Sequence, residues 1–231
     1  MNLLSILLQV SSTAASLPTE VPTENYFHLL FKGGWILLPL FLLFILTNYI
    51  IIERWVTINI LGKNDKVWLG RLNEFVVERK IEKAIRSCNE NPTSYAKVLG
   101  VALELVDRDD VEIQEAMQSE ARQQISILEK SLNYLSITAS IAPMLGFLGT
   151  IFGVIKIFYN ISLTNDLNIA NISDGLYQKM ISSGSGLFVG IIAYAGYYIL
   201  NSRIDKIVVR TDKYSNDMLR LIRDYKREKT A

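Results

Sequence analysis

The chain has 231 residues, half of them apolar, and its 24 basic and 23 acidic side chains leave a net charge of +1. That balance carries no electrostatic footprint for nucleic acid. One cysteine, Cys88, and one histidine, His28, exclude an intramolecular disulfide and a Cys/His metal cluster. The totals hide three charge-free stretches, Gly33–Ile52, Ser131–Ile155 and Met180–Ser202. About 20 apolar residues, rising about 1.5 Å each, cross a hydrocarbon core of about 30 Å, so each stretch predicts a transmembrane helix.

In chain order, residues 1–31 read as a segment on the outer face of the membrane, with Met1–Ala15 expected as an interfacial amphipathic helix and a cleaved signal peptide as the other reading, although no basic residue precedes Leu3–Val10. Leu17–Asn25, holding Pro18 and Pro22, is an extended link into the first span at 32–54. Trp35 and Trp55 bracket that span at aromatic-belt positions. The region 55–130 is helical: Leu72, Phe75, Val76, Ile81, Ala84 and Ile85 recur at helical spacing between Val67 and Cys88. Cys88 shares that spacing and reads as packing. Asn89-Glu90-Asn91-Pro92 stops the helix, and Tyr95–Val106 forms a short second one.

Asp109 then has the place of an N-cap, with Glu112 completing a capping box. No breaker follows Val111 until Pro143, which predicts one helix of about fifty residues running into the second span at 131–158. A short outer loop covers 159–176. The third span, 177–202, continues into Arg203–Lys229 without Gly or Pro. The expected fold is an all-α polytopic membrane protein with three transmembrane helices, two of them extending into a cytoplasmic helical bundle.

Orientation follows from Lys and Arg. Arg54–Lys130 holds twelve and the tail after Ser202 holds nine, whereas Ile157–Gln178 holds none. By the positive-inside rule the middle region and the C-terminus (203–231) are cytoplasmic, and the N-terminus and outer loop are periplasmic.

The second and third spans gather small and hydroxyl residues on one face. Projected as helices, Ser136, Ser140, Pro143, Gly146, Thr150 and Gly153 share an arc, as do Gln178, Ser182, Ser183, Ser185, Gly186, Gly190, Ala193 and Gly196. Gly149-xxx-Gly153 and Gly186-xxx-Gly190 suit close helix packing, and Pro143 marks an expected bend. Hydroxyls at membrane depth need partners, which makes Thr150, Ser182 and Ser183, with the Gln178 amide, candidates to line a polar path. Lys156 and Lys179 flank the outer ends, placed either to snorkel to the interface or to pair with a partner's acid. Neither span holds a carboxylate, so either a titratable group comes from elsewhere or no proton is carried along these faces. No nucleophile–base pair, metal cluster or phosphate loop is present; an enzyme is not expected, nor any cofactor or metal.

The run Ala142-Pro143-Met144-Leu145-Gly146-Phe147-Leu148-Gly149-Thr150-Ile151-Phe152-Gly153 resembles the APxLGLLGTVxG signature of the ExbB/TolQ group of the MotA/TolQ/ExbB proton-channel family. Ser183-Gly184-Ser185-Gly186-Leu187 resembles the TAxGL segment of that family's third helix. The resemblance implies a homo-pentamer in the bacterial inner membrane, with the second and third helices lining a central pore. Single-span ExbD-like partners inside the pore carry the proton-accepting Asp, and a TonB-like protein passes the work to outer-membrane importers. Thr150 and Ser183 fall on the two hydroxyl positions facing that Asp. Two departures stand out: Ser183 replaces a Thr, and Gln178, followed by Lys179, stands where the family often has Glu. A TolQ-like or gliding-type stator fits the same resemblance, and a non-conducting helical scaffold is the reading from another class.

Overall fold

The computed structural model describes residues 36–164 and 169–230, and the regular structure among them is α-helical throughout. The helices are α1 (Leu37–Leu61), α2 (Lys66–Val77), α3 (Ile81–Glu90), α4 (Ser94–Glu104), α5 (Asp110–Glu129), α6 (Leu132–Thr164) and α7 (Ile169–Thr230). The outer segment 1–31, His28 and Trp35 lie outside the described residues, as does the side chain of Gln178.

α1, α6 and α7 are long and apolar enough to cross a membrane. Phe41 and Ile45 on α1, Phe147 and Phe152 on α6, and Leu187, Phe188 and Ile191 on α7 are all exposed. An apolar belt of that extent is stable only with lipid or protein as its solvent. α6 reaches Thr164 and α7 begins at Ile169, so most of the loop expected at 159–176 is helical.

Below the belt, the chain builds a core of the ordinary water-soluble kind. Leu72 and Val76 of α2, Ala84 and Cys88 of α3, Tyr95, Leu99 and Leu103 of α4, and Ile113 and Met117 of α5 close around Met218 and Ile222 of α7. Cys88 is packed inside, as its spacing predicts, and burial, helped by the Glu104 charge, pushes its thiol up to about 12. A thiol so raised stays protonated and inert at neutral pH. A second cluster, Ile50, Ile58, Leu128, Leu132, Leu135, Leu200, Ile204 and Ile207, joins this core to the membrane helices.

Three local expectations are corrected. The helix read across Val67–Cys88 is two helices, because the backbone turns left-handed at Arg79 (φ 62°). The fifty-residue helix is likewise interrupted: Ser131 takes φ 69°, separating α5 from α6, while α7 does run unbroken from the membrane into the bundle. Neither site has the Gly or Pro that would announce a break. A non-Gly residue in this region costs roughly 1–2 kcal/mol, which the packing of α5 on α4 and α7 offsets. The broken end is also capped from outside: Arg54, buried on α1 and forked onto Glu53, donates from Nη1 to the Ile127 carbonyl at 3.1 Å. That carbonyl lies in the last turn of α5, where it has no partner within its own helix.

The capping box is the third correction. Asp109 has N-cap backbone geometry, but its side chain makes no capping bond. The engaged acid is its neighbour: Asp110 accepts from Arg223 Nε at 2.8 Å and Lys226 Nζ at 2.9 Å on α7. Hydrogen bonding from Lys226, then from Arg223, holds the Asp110 carboxyl below the ordinary carboxylate range against the opposing effect of burial. A carboxyl depressed in the folded state stabilises the fold above its unfolded pKa of about 3.9, and that contribution fades as pH falls through the lower folded value. With the pair about a third exposed, the contribution is a few tenths of a kcal/mol. Asp110→Asn is therefore expected to lower the thermal midpoint of the solubilised protein slightly at pH 7. The gap to the parent should begin to narrow only as pH falls below about 4. It should close once pH drops beneath the depressed folded value, as read by thermal unfolding at pH 7 and through a series of lower steps.

Candidate functional site between the second and third spans

α6 and α7 touch backbone to backbone. A Cβ placed on Gly186 would lie 2.5 Å from the Ala142 carbonyl oxygen and 2.9 Å from Gly146 Cα. One placed on Gly146 would lie 3.0 Å from the Ser183 carbonyl oxygen. The seam continues inward, where Gly190 receives the Pro143 ring with only 2.6 Å left to Cγ. α6 stays helical across Pro143. Outward, a Cβ on Gly149 would meet Ser182 Oγ at 2.7 Å, and Gly153 is covered by the aliphatic stem of Lys179. In hydrocarbon, helices gain little by hiding apolar surface from each other, so such close approach is how they hold together.

The hydroxyls divide between the seam and its edge. Thr150 is half-buried, and its Oγ1 reaches both the Gly146 carbonyl of its own helix and the Lys179 carbonyl of α7, each at 3.3 Å. Ser182 is fully enclosed, and among the described residues its Oγ has no hydrogen-bond partner. Ser183, one position on, is half-buried, with its backbone against Gly146. Ser185 donates to the Ile181 carbonyl at 2.8 Å. Ser140 and Gly184 are exposed, and nothing lies within 4 Å of a Cβ on Gly184. The small-residue stripe is therefore two surfaces. Gly146, Gly149, Gly153, Ser182, Gly186 and Gly190 are inside the helix pair, while Pro143, Thr150 and Ser183 stand at its margin, open on one side.

Two features escape sequence reasoning. Thr47 of α1 is fully buried with an unpartnered hydroxyl, yet in sequence it is a lone Thr in an apolar run. At the inner boundary, Arg203 of α7 stacks over the Trp55 ring at 3.6 Å and donates to Asn59 Oδ1 at 2.8 Å, latching α7 to α1. Both partners sit at predictable interfacial positions, but only the folded chain pairs them.

No Asp or Glu occurs in Leu132–Thr164 or in Gly175–Ile204. The seam can donate and accept hydrogen bonds, but it holds no carboxylate to carry a proton at neutral pH. A profile of the MotA/TolQ/ExbB proton channel family matches residues 74–213, which cover the C-terminal end of α2, all of α3 to α6, and α7 as far as Lys213. The chain belongs to that family. Among relatives, a putative biopolymer transport protein ExbB homolog of Methanothermobacter thermautotrophicus is 28% identical over 137 residues, covering 59% of this chain and 48% of the relative. The match thus spans about half of that relative's length. The biopolymer transport protein ExbB of Neisseria gonorrhoeae is 23% identical over 158 residues, 68% of this chain and 70% of its own. A Tol-Pal system protein TolQ of Haemophilus influenzae is 28% identical over 92 residues, 40% of each chain. All of this chain's seam glycines fall inside the matched family region.

The glycines differ in what they tolerate. Gly186→Val must push α6 away by its backbone, and overpacking of this kind costs typically 1–3 kcal/mol. The expected result is a clearly lowered thermal midpoint and reduced membrane level, whereas Gly184→Ala leaves both unchanged. Thermal unfolding of the two purified variants in detergent checks the contrast.

Proposed function

We propose that this chain is the channel subunit of a proton-driven motor of the TonB-ExbB-ExbD type. It couples the gradient across the bacterial inner membrane to energised import through the outer membrane. The observation that carries this reading is the α6–α7 seam, where hydroxyls at Thr150 and Ser183 stand on an open margin and no carboxylate is present. A hydroxyl can donate to a carboxylate and accept from a carboxylic acid, so it serves both states of a proton carrier brought by another chain. The carrier is the Asp of an ExbD-like single-span partner, and a TonB-like protein passes on the work. One proton crossing 100 mV supplies about 2.3 kcal/mol.

In this reading the subunit sits with its N-terminus in the periplasm and its C-terminus in the cytoplasm, consistent with the Lys and Arg count, and it assembles as a homo-pentamer around the partner helices. The exposed apolar faces of α1, α6 and α7 suit contact with lipid and with further copies. A Tol-type client is the second reading, favoured by the TolQ relative; it changes what the motor drives and leaves the seam chemistry as it is.

The test is energised uptake of a TonB-dependent nutrient in cells carrying Thr150→Val. Loss of uptake by tenfold or more with an intact assembly is expected, and normal uptake returns the hydroxyl to packing. Native mass spectrometry of the chain co-expressed with its ExbD-like neighbour should give five copies; a stable monomer or dimer refutes the pore.

A further inference from the structure

The two lysines at the outer ends of α6 and α7 are built differently. Lys156 is exposed, as a lysine snorkelling to the interface should be. Lys179 is half-buried. Its stem does not stay on α7 but crosses to α6, where a Cβ on Gly153 would overlap Cγ, Cδ and Cε. Its own carbonyl lies 3.3 Å from Thr150 Oγ1. The residue thus meets the open margin of the seam at two points, and the absent side chain at Gly153 is what leaves room for its stem. Ordering a lysine stem costs rotamer freedom, a cost that snorkelling alone does not require. No ion pair to Lys179 forms among the described residues.

Resting on the channel reading above, we infer that Lys179 is a fixed counter-ion at the outer mouth of the seam, held across Gly153 to pair with the carboxylate of the partner helix. An ammonium within a few Å favours the ionised acid, and in a water-poor site that preference is large. The hydroxyls of Thr150 and Ser183 receive the acid once it is neutral, while Lys179 holds it when charged. The division gives the carboxylate two distinct resting places, one for each protonation state.

Carbodiimide coupling in membranes holding the chain and its ExbD-like partner tests this directly. The reagent activates a carboxyl, and a neighbouring amine displaces it to leave an amide, so only a lysine touching an acid is joined. Peptide mapping by mass spectrometry should find Lys179 linked to a carboxyl of the second polypeptide. The product should be absent in Lys179→Arg, which keeps the charge but does not couple. Gly153→Leu, which displaces the stem, should reduce it several-fold with the protein still in the membrane. Lys179 left free while surface lysines couple, or Lys179 joined to a copy of its own chain, overturns the inference. A Thr150→Val strain that fails to import while Lys179 remains uncoupled leaves the channel reading standing and removes only this pairing. Normal import by Thr150→Val removes the channel reading itself.

Discussion

The close approach of a glycine backbone of α6 to a glycine backbone of α7 is the constraint on which the rest depends. Within a bilayer there is no water to expel, so two helices stay together through dispersion at short range and through hydrogen bonds. Both demand that nothing larger than hydrogen stand between Gly146 and Gly186. With that spacing fixed, Thr150 comes within reach of a carbonyl on the neighbouring helix and Ser182 is sealed inside. Ser183 stays at the margin. The open margin of the seam is a by-product of a packing requirement.

The same helix then carries the arrangement out of the membrane. α7 spans 62 residues, about 90 Å, and contributes Leu200, Ile204 and Ile207 to the middle cluster and Met218 and Ile222 to the core of the helical bundle. Three residues tie it to the C-terminal end of α1 and the turn that follows: Arg203 on Trp55 and Asn59, Arg210 on the Gly62 carbonyl, and Tyr214 on Asn64. A tilt of α7 at the seam is therefore shared with the packed helical bundle at its far end. Close-packed interiors move as units rather than deforming smoothly, which suits a part that transmits displacement.

The arrangement also separates chemistry from scaffold. The residues that hold α6 on α7 are glycines and an enclosed serine, while those able to meet another chain are threonine, serine and lysine on one open edge. Because the two sets alternate along the same helices, a change of one residue in register exchanges a packing position for an exposed one. A helical stripe about 140° wide is broad enough for both sets.

Much of this was legible in the sequence. Three charge-free stretches of membrane length, the helical spacing of the apolar residues between Val67 and Cys88, the buried role of Cys88 and the paired small-residue faces follow from composition and period alone, because each rests on local rules of helix geometry and bilayer thickness. The sequence also placed Thr150, Ser182 and Ser183 on one face. It did not separate the enclosed Ser182 from the marginal Ser183, since neighbouring positions differ by a rotation that only the partner helix turns into inside and outside. The breaks at Arg79 and Ser131 were invisible because neither residue is a breaker; long-range packing and the Arg54 cap make them tolerable. The Asp109 box failed for a similar reason, with the strong cations of α7 landing on Asp110 instead. Sequence by itself determined that the chain is helical, which stretches are apolar enough to cross a membrane and which faces are small. Tertiary structure alone decided which small residues touch, which hydroxyls stay open and where a lysine stem lies, because those depend on contacts between residues far apart in the chain.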